Sequence, residues 1–212
     1  MLTIIVGPSS RVIWAAHELG IPLHVTTNDI ELADQRGSLV NSAESHLFHP
    51  TANVMPTFSD DGIELIESGN ILLYLLDRYD HHYRLYPPAQ SNAKERARFR
   101  LWFFFTAATC DPLLLEAYLH QFVLSGAASN ADIIESNKSK WFDAVKQRFE
   151  PALQQHPYII GEHFSMADVM VGHTIYFASM LGWIEPDSIL ANYLARLKRR
   201  HGFQRAYLSN DL

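Results

Sequence analysis

The pattern of apolar and polar positions changes its period once along the chain. Residues 2–6 form a short β-branched run that fits a buried strand, and residues 12–19 carry apolar side chains at helical spacing until Gly20 and Pro22 stop the helix. Residues 23–27 alternate apolar with polar, which predicts a half-buried strand and a β-α-β opening with a parallel pair and a right-handed crossover. From residue 29 to 52 the pattern is poor, and a short irregular helix in a long connection is expected. Order returns at residues 57–59 and 63–66, two short strands joined through Asp60, Asp61 and Gly62, since Asp-Gly between apolar runs signals a hairpin. Ser68 then stands where a helix cap belongs, and Ile71, Leu72, Leu75, Leu76 and Tyr79 follow on one helical face.

Beyond this point strand patterns all but vanish. A polar, proline-bearing stretch leads into segments 93–123, 130–154, 165–181 and 187–200, each of which reads as a helix, the first kinked at Pro112. In FSMADV, Ser165 can cap a helix, Asp168 can answer from the third helical position and Phe164 can staple onto Val169; Gly182 would close that helix. The expected organisation is a small α/β domain over residues 1–80, a linker at 81–92 and an all-helical domain over 93–212.

Composition narrows the function classes. With 48% hydrophobic and 19% charged residues the 212-residue chain can bury a real core, and its net charge of −6 argues against nucleic acid as the main partner. The basic run at 196–205 reads first as a solvated helix end and second as a polyanion site. A single cysteine, Cys110, excludes an intramolecular disulfide and a CxxC couple, and fits a reducing compartment. No charged segment followed by a long apolar one opens the chain, and the most apolar run, residues 101–110, is too short to span a bilayer. A cytoplasmic protein with no membrane partner is expected. His46 with His49, and His81 with His82, lack a third ligand at useful spacing, so no metal is expected either.

The element order β-α-β, β-β-α is thioredoxin-like, and such domains place their reactive group at the start of the first helix, where free amides and the helix dipole favour a thiolate. Here that turn reads GPSSRV and offers Ser9 and Ser10 in place of cysteine. A serine there can donate a hydrogen bond to the thiolate of a bound thiol. Together with the helix terminus this contributes about 2–4 kcal/mol, enough to ionise most of a thiol of pKa about 8.5 at neutral pH. Either serine can equally well just cap the helix. Pro56, entering the third strand, is expected to be cis and to turn the Met55 backbone towards that helix, where an extended peptide could pair with it; an ordinary edge-strand proline is the alternative. Glu67 and Ser68, between a strand and a helix, suit the α-ammonium and α-carboxylate of an amino acid, or form a plain cap.

These residues carry a resemblance. The run VMPTFSDDGIELIESGNILLYLLDRY, residues 54–79, resembles the signature of the soluble glutathione transferases, FSMADV matches the capping segment in their sixth helix, and VIWAAHELGIP resembles their first helix. The resemblance covers nearly the whole chain and is of a bacterial, serine-type kind. It implies a thioredoxin-like α/β domain plus an all-α domain, a homodimer, and glutathione as the co-substrate. By position, Met55 would pair its backbone with the cysteinyl part of glutathione, next to Pro56. Glu67 and Ser68 would hold the γ-glutamyl end, and Ser9 or Ser10 would face the sulfur. Asn53 stands where many members have a Lys for the glycine carboxylate, with Arg11 and Arg36 as possible sources of charge. A small hydrophobic electrophile would lie between the domains near Trp102, Phe105 and Thr106, each of which can also be plain core, as can Cys110. The implied function is a detoxifying glutathione transferase; a glutathione-dependent isomerase, lyase or dehalogenase, or a non-catalytic binding protein, are alternatives.

Overall fold

The computed structural model describes residues 9–25, 30–32, 39–41, 57–87, 93–124 and 126–208. Helix α1 (Ser9–Leu19) is followed by two short strands, β1 (Ile30–Leu32) and β2 (Leu39–Asn41), paired antiparallel with Glu31 opposite Val40. The ladder falls inside the stretch 29–52, where a short irregular helix in a long connection is expected; the rest of that stretch lies outside the described residues. Three-residue strands are too short to show a period, so the sequence pattern could not reveal them. Residues 23–25 are not a strand, and the expected strand at 2–6 lies outside the described residues.

The hairpin forms as the sequence predicts. Strands β3 (Thr57–Asp60) and β4 (Ile63–Ile66) pair antiparallel, and Asp61 and Gly62 both take positive φ, 48° and 81°, as the primed turn of a two-residue loop requires. Helix α2 (Ser68–Tyr79) folds back onto this hairpin. The Asp60 carboxylate accepts from Tyr74 Oη at 3.0 Å and Tyr79 Oη at 2.5 Å, and Arg78 pairs with Asp60 and Asp61. Ser68 is the first helical residue and Glu67 occupies the cap position, one place earlier than expected.

The chain then makes an ordered turn. Buried Asp80 accepts the backbone N–H groups of Arg84, Leu85 and Tyr86, and the Leu85 carbonyl in turn accepts from Met166 N at 2.9 Å. The start of the expected linker is thus tied to the helical half.

The long helical segment runs through α3 (Ala93–Phe105), a π-helical turn (Thr106–Cys110), α4 (Asp111–Tyr118) and a second π turn (Leu119–Val123). The expected kink at Pro112 takes the form of the first π turn. Proline cannot donate to the carbonyl one turn back, and widening the turn just before it relieves the ring clash. Helices α5 (Ala131–Gln155), α6 (Met166–Met180), α7 (Ile189–Lys198) and α8 (His201–Tyr207) complete the fold. Helix α6 is the centre of the molecule: every residue from Met166 to Ile175 is buried. It begins as its sequence suggests, with the Asp168 carboxylate accepting from Ser165 N and Ser165 Oγ, and also from Ile159 N and Tyr193 Oη. It ends on Gly182 at φ 75°, with Trp183 N bonded to Ala178 O and Gly182 N to Ser179 O, the paired bonds of a left-handed helix stop.

Helix α8 was not foreseen, because residues 196–205 look like a solvated basic end. One side of it is apolar, with Phe203, Ala206 and Tyr207 buried against α1, where Trp14 is fully buried with Phe203 at 5.1 Å between ring centroids. Gly172 and Gly202 permit this approach: a Cβ at Gly202 would lie 2.9 Å from Trp14 Cδ1, and one at Gly172 3.0 Å from the same indole.

Candidate active site

Helix α1 packs against both α2 and α6, and one residue of α6 lies near the first turns of α1 and α2. The shared neighbour is Met170 of α6. Arg11 Nη1 lies 3.6 Å from its sulfur, and a Cβ at Gly69 would lie 3.6 Å from its methyl group. Met170 is thus a shared neighbour of Arg11, which follows Ser9 and Ser10, and of Gly69, which follows Glu67 and Ser68. Met170 gave no signal in the sequence beyond its place in an apolar helix.

The start of α2 has the features of a binding turn. Glu67 is exposed and held at φ 67°, ψ 109°, a backbone conformation that side-chain-bearing residues rarely adopt and that concentrates at functional sites. Ser68 is buried. Among the described residues no side chain caps this helix, so its first amides face the turn unclaimed by a neighbouring side chain and suit an anionic group.

At the start of α1, Ser9 is half-buried and Ser10 is buried. Arg11 differs from its expected role. Only 1% exposed, it points inward and donates from Nη2 to Asp111 Oδ2 at 2.6 Å, while Thr174 Oγ1 donates to the other oxygen of Asp111. Its charge is held inside by a carboxylate of the helical half, and its Nε, also buried, has no partner among the described residues. Arg11 is therefore a strut between the two halves and not a free cation for a ligand carboxylate. Asp111 was legible only as the start of a helix, in an Asp-Pro pair.

The residues offered for an electrophile pocket are placed as core. Trp102 is 5% exposed, with its ring 5.6 Å from that of Phe149, and Phe105 meets the same ring at 6.0 Å. Thr106 is fully buried and donates to the Trp102 carbonyl, 2.5 Å away. Packing and helical hydrogen bonding thus occupy side chains whose aromatic and polar character had suggested a pocket. Cys110 is buried, and desolvation together with the Asp111 charge pushes its thiol up to about 12, which rules it out as a thiolate nucleophile near neutrality. Asn53, Met55, Pro56 and Arg36 lie outside the described residues, as do His46 and His49. His81 and His82 are exposed, and no cluster of three or more His, Cys, Asp or Glu side chains fit to hold a metal ion occurs among the described residues. No helix among them is long and apolar enough to cross a membrane.

Comparison with known proteins bears on what this arrangement is for. No sequence profile of a known family matches the chain. It is 25% identical to glutathione S-transferase 3 of Schizosaccharomyces pombe, over 80% of this chain and 70% of that protein, and 26% identical to glutathione S-transferase 2 of Anopheles gambiae, over 84% and 80%. Among solved structures, the glutathione transferase URE2P6 of Phanerochaete chrysosporium, crystallised with oxidized glutathione, superposes with a TM-score of 0.79 at 17% identity, covering 94% of this chain and 90% of that one. The fold is that of the glutathione transferases, and the sequence similarities support a place in that family.

Proposed function

We propose that this chain is a glutathione transferase of the serine type, a cytoplasmic, detoxifying enzyme that binds glutathione along residues 1–80 and attacks a small hydrophobic electrophile from its thiolate. The observation that carries the reading is the convergence of two helix starts on Met170, one bearing Ser9 and Ser10 and the other bearing the strained Glu67 and an uncapped first turn. In this reading Glu67 and Ser68 take the amino-acid end of a γ-glutamyl peptide, and the sequence resemblance assigns backbone pairing to Met55 next to Pro56 and the far end to Asn53. The Ser9 hydroxyl, the less buried of the two, donates to the sulfur, and the α1 dipole adds to thiolate stabilisation. No step needs a metal.

Ser9 and Ser10 are tested together. The double alanine variant is expected to lose about tenfold to a hundredfold in kcat/KM towards a chloronitrobenzene-type electrophile, the range of one hydrogen bond to a charged group. Wild-type activity in that variant removes the serine assignment.

A second reading, a glutathione-transferase-like binding protein without catalysis, is favoured by one observation: of the three side chains in the SSR turn, Ser10 and Arg11 face inward. Calorimetry separates the readings, since no heat with millimolar glutathione abandons the enzyme. An isomerase, lyase or dehalogenase using the same cofactor half is distinguished by the product formed. A homodimer is part of the proposal, supported by Leu101 and Phe104, 44% and 64% exposed one turn apart on α3.

A further inference from the structure

A second concave site lies at the other end of α1 from the serines. It is a cavity of about 500 Å³ between the last turn of α1, the loop at Tyr158 and the junction of α7 with α8. The junction supplies Arg196, Arg199 and Arg200, and His201 faces His17 of α1 with ring centroids 6.0 Å apart.

The charges there do not cancel. Among the described residues Glu18 is the one carboxylate lining the cavity, and it is already taken: it accepts from Arg200 Nε at 2.8 Å and Nη2 at 2.6 Å, and from Trp14 Nε1. Arg196 gives one N–H to the Pro157 carbonyl and lies over the Tyr158 ring, which leaves most of its donor fork uncommitted to those two partners. Arg199 is exposed. Two guanidinium charges thus lack a carboxylate in the lining among the described residues. The environment of His17 agrees, since burial, Arg205 and His201 all lower its pKa, against only Glu18 raising it. This happens on a chain whose net charge is −6, so the cationic field is local to the hollow.

We propose that this cavity is a binding site for a phosphoryl dianion, either inorganic phosphate or the phosphate group of a small monoester. Two guanidinium groups with no carboxylate partner among the described residues answer a doubly charged group, their forked donors fit its oxygens, and the volume lies in the range of small-ligand pockets. A basic patch for a nucleic acid would be an open face and would not need a hollow. The site is separate from the proposed glutathione turn, about 12 Å along α1 at helical rise, and does not depend on that turn's being catalytic.

The test titrates inorganic phosphate, phenyl phosphate and succinate into the full chain at constant ionic strength, following the His17 and His201 imidazole resonances by NMR and the heat by calorimetry. The expected result is saturable binding of phosphate at one site per chain, a rise in the pKa of His17, and a loss of about tenfold or more in affinity in Arg199→Glu at unchanged melting temperature. Phenyl phosphate binding more tightly than inorganic phosphate identifies a monoester site, and equal binding identifies the free ion. The proposal is overturned if succinate produces the same shifts with the same affinity, or if Arg199→Glu binds phosphate as the wild type does.

Discussion

At the scale of single residues, the most informative side chains are those whose chemistry is turned inward. Arg11 follows two candidate catalytic serines and reads naturally as part of their site, yet it is consumed by Asp111. Removing one member of such a pair strands the other. Arg11→Met is expected to destabilise the fold by about 3 kcal/mol in urea unfolding, and Arg11→Met with Asp111→Leu by less than Arg11→Met alone, because the stranded carboxylate is gone. His173 is the second case. It is fully buried, shares a 2.7 Å hydrogen bond with Tyr207, and has its pKa driven well below the ordinary value, first by burial and then by the Arg11 charge. The folded state therefore keeps it neutral, while the unfolded chain takes up a proton below about pH 6.5. Stability from this group is present above that pH and is lost as the pH falls, by up to about 1.4 kcal/mol per pH unit. Denaturation followed from pH 7.5 to 5 should show this slope, flattened in His173→Gln. Neither role was legible in the sequence, since a lone arginine or histidine in a helix does not say which way it faces.

Among the elements, those set by local chemistry were legible and those set by distant partners were not. Asp61-Gly62 takes the two positive φ angles that its residue types favour, and Ser165, Asp168 and Gly182 start and stop α6 through bonds within a few residues of themselves. Pro112 announced a disturbance but not its form. Helix α8 was missed because its apolar residues are few, at 203, 206 and 207, and gain their meaning only when Trp14 lies opposite, nearly two hundred residues away. The fit there is close. Gly202→Ala would push a methyl group to 2.9 Å from both Trp14 Cδ1 and Glu18 Oε1, and a loss of about 1–3 kcal/mol is expected in thermal unfolding. Of the candidate site, the Glu67-Ser68 turn could be read directly because strand, turn and helix signals meet there. The electrophile residues could not be sorted by sequence, since aromatic side chains in a long helix look alike whether they line a pocket or fill a core.

For the whole molecule, two surfaces matter, one exposed and one covered. The exposed one is the apolar turn of α3 at Leu101 and Phe104. If the proposed homodimer uses this turn, Phe104→Glu shifts the mass in light scattering from dimer to monomer without changing helix content, and an unchanged dimer would place the contact elsewhere. The covered one is the seam between α1 and α8, where Arg200 grips Glu18 across 182 residues of sequence while lying 3.5 Å from the centre of the Phe164 ring. That seam makes the end of the chain a partner of its beginning. During synthesis the ribosome needs about 10–40 s to travel from Glu18 to Arg200, and throughout that interval the face of α1 around Trp14 lacks Phe203 and Tyr207, with Phe164 and Gly172 arriving earlier. Glu18 thus holds a charge whose Arg200 partner is among the last parts of the fold to be made.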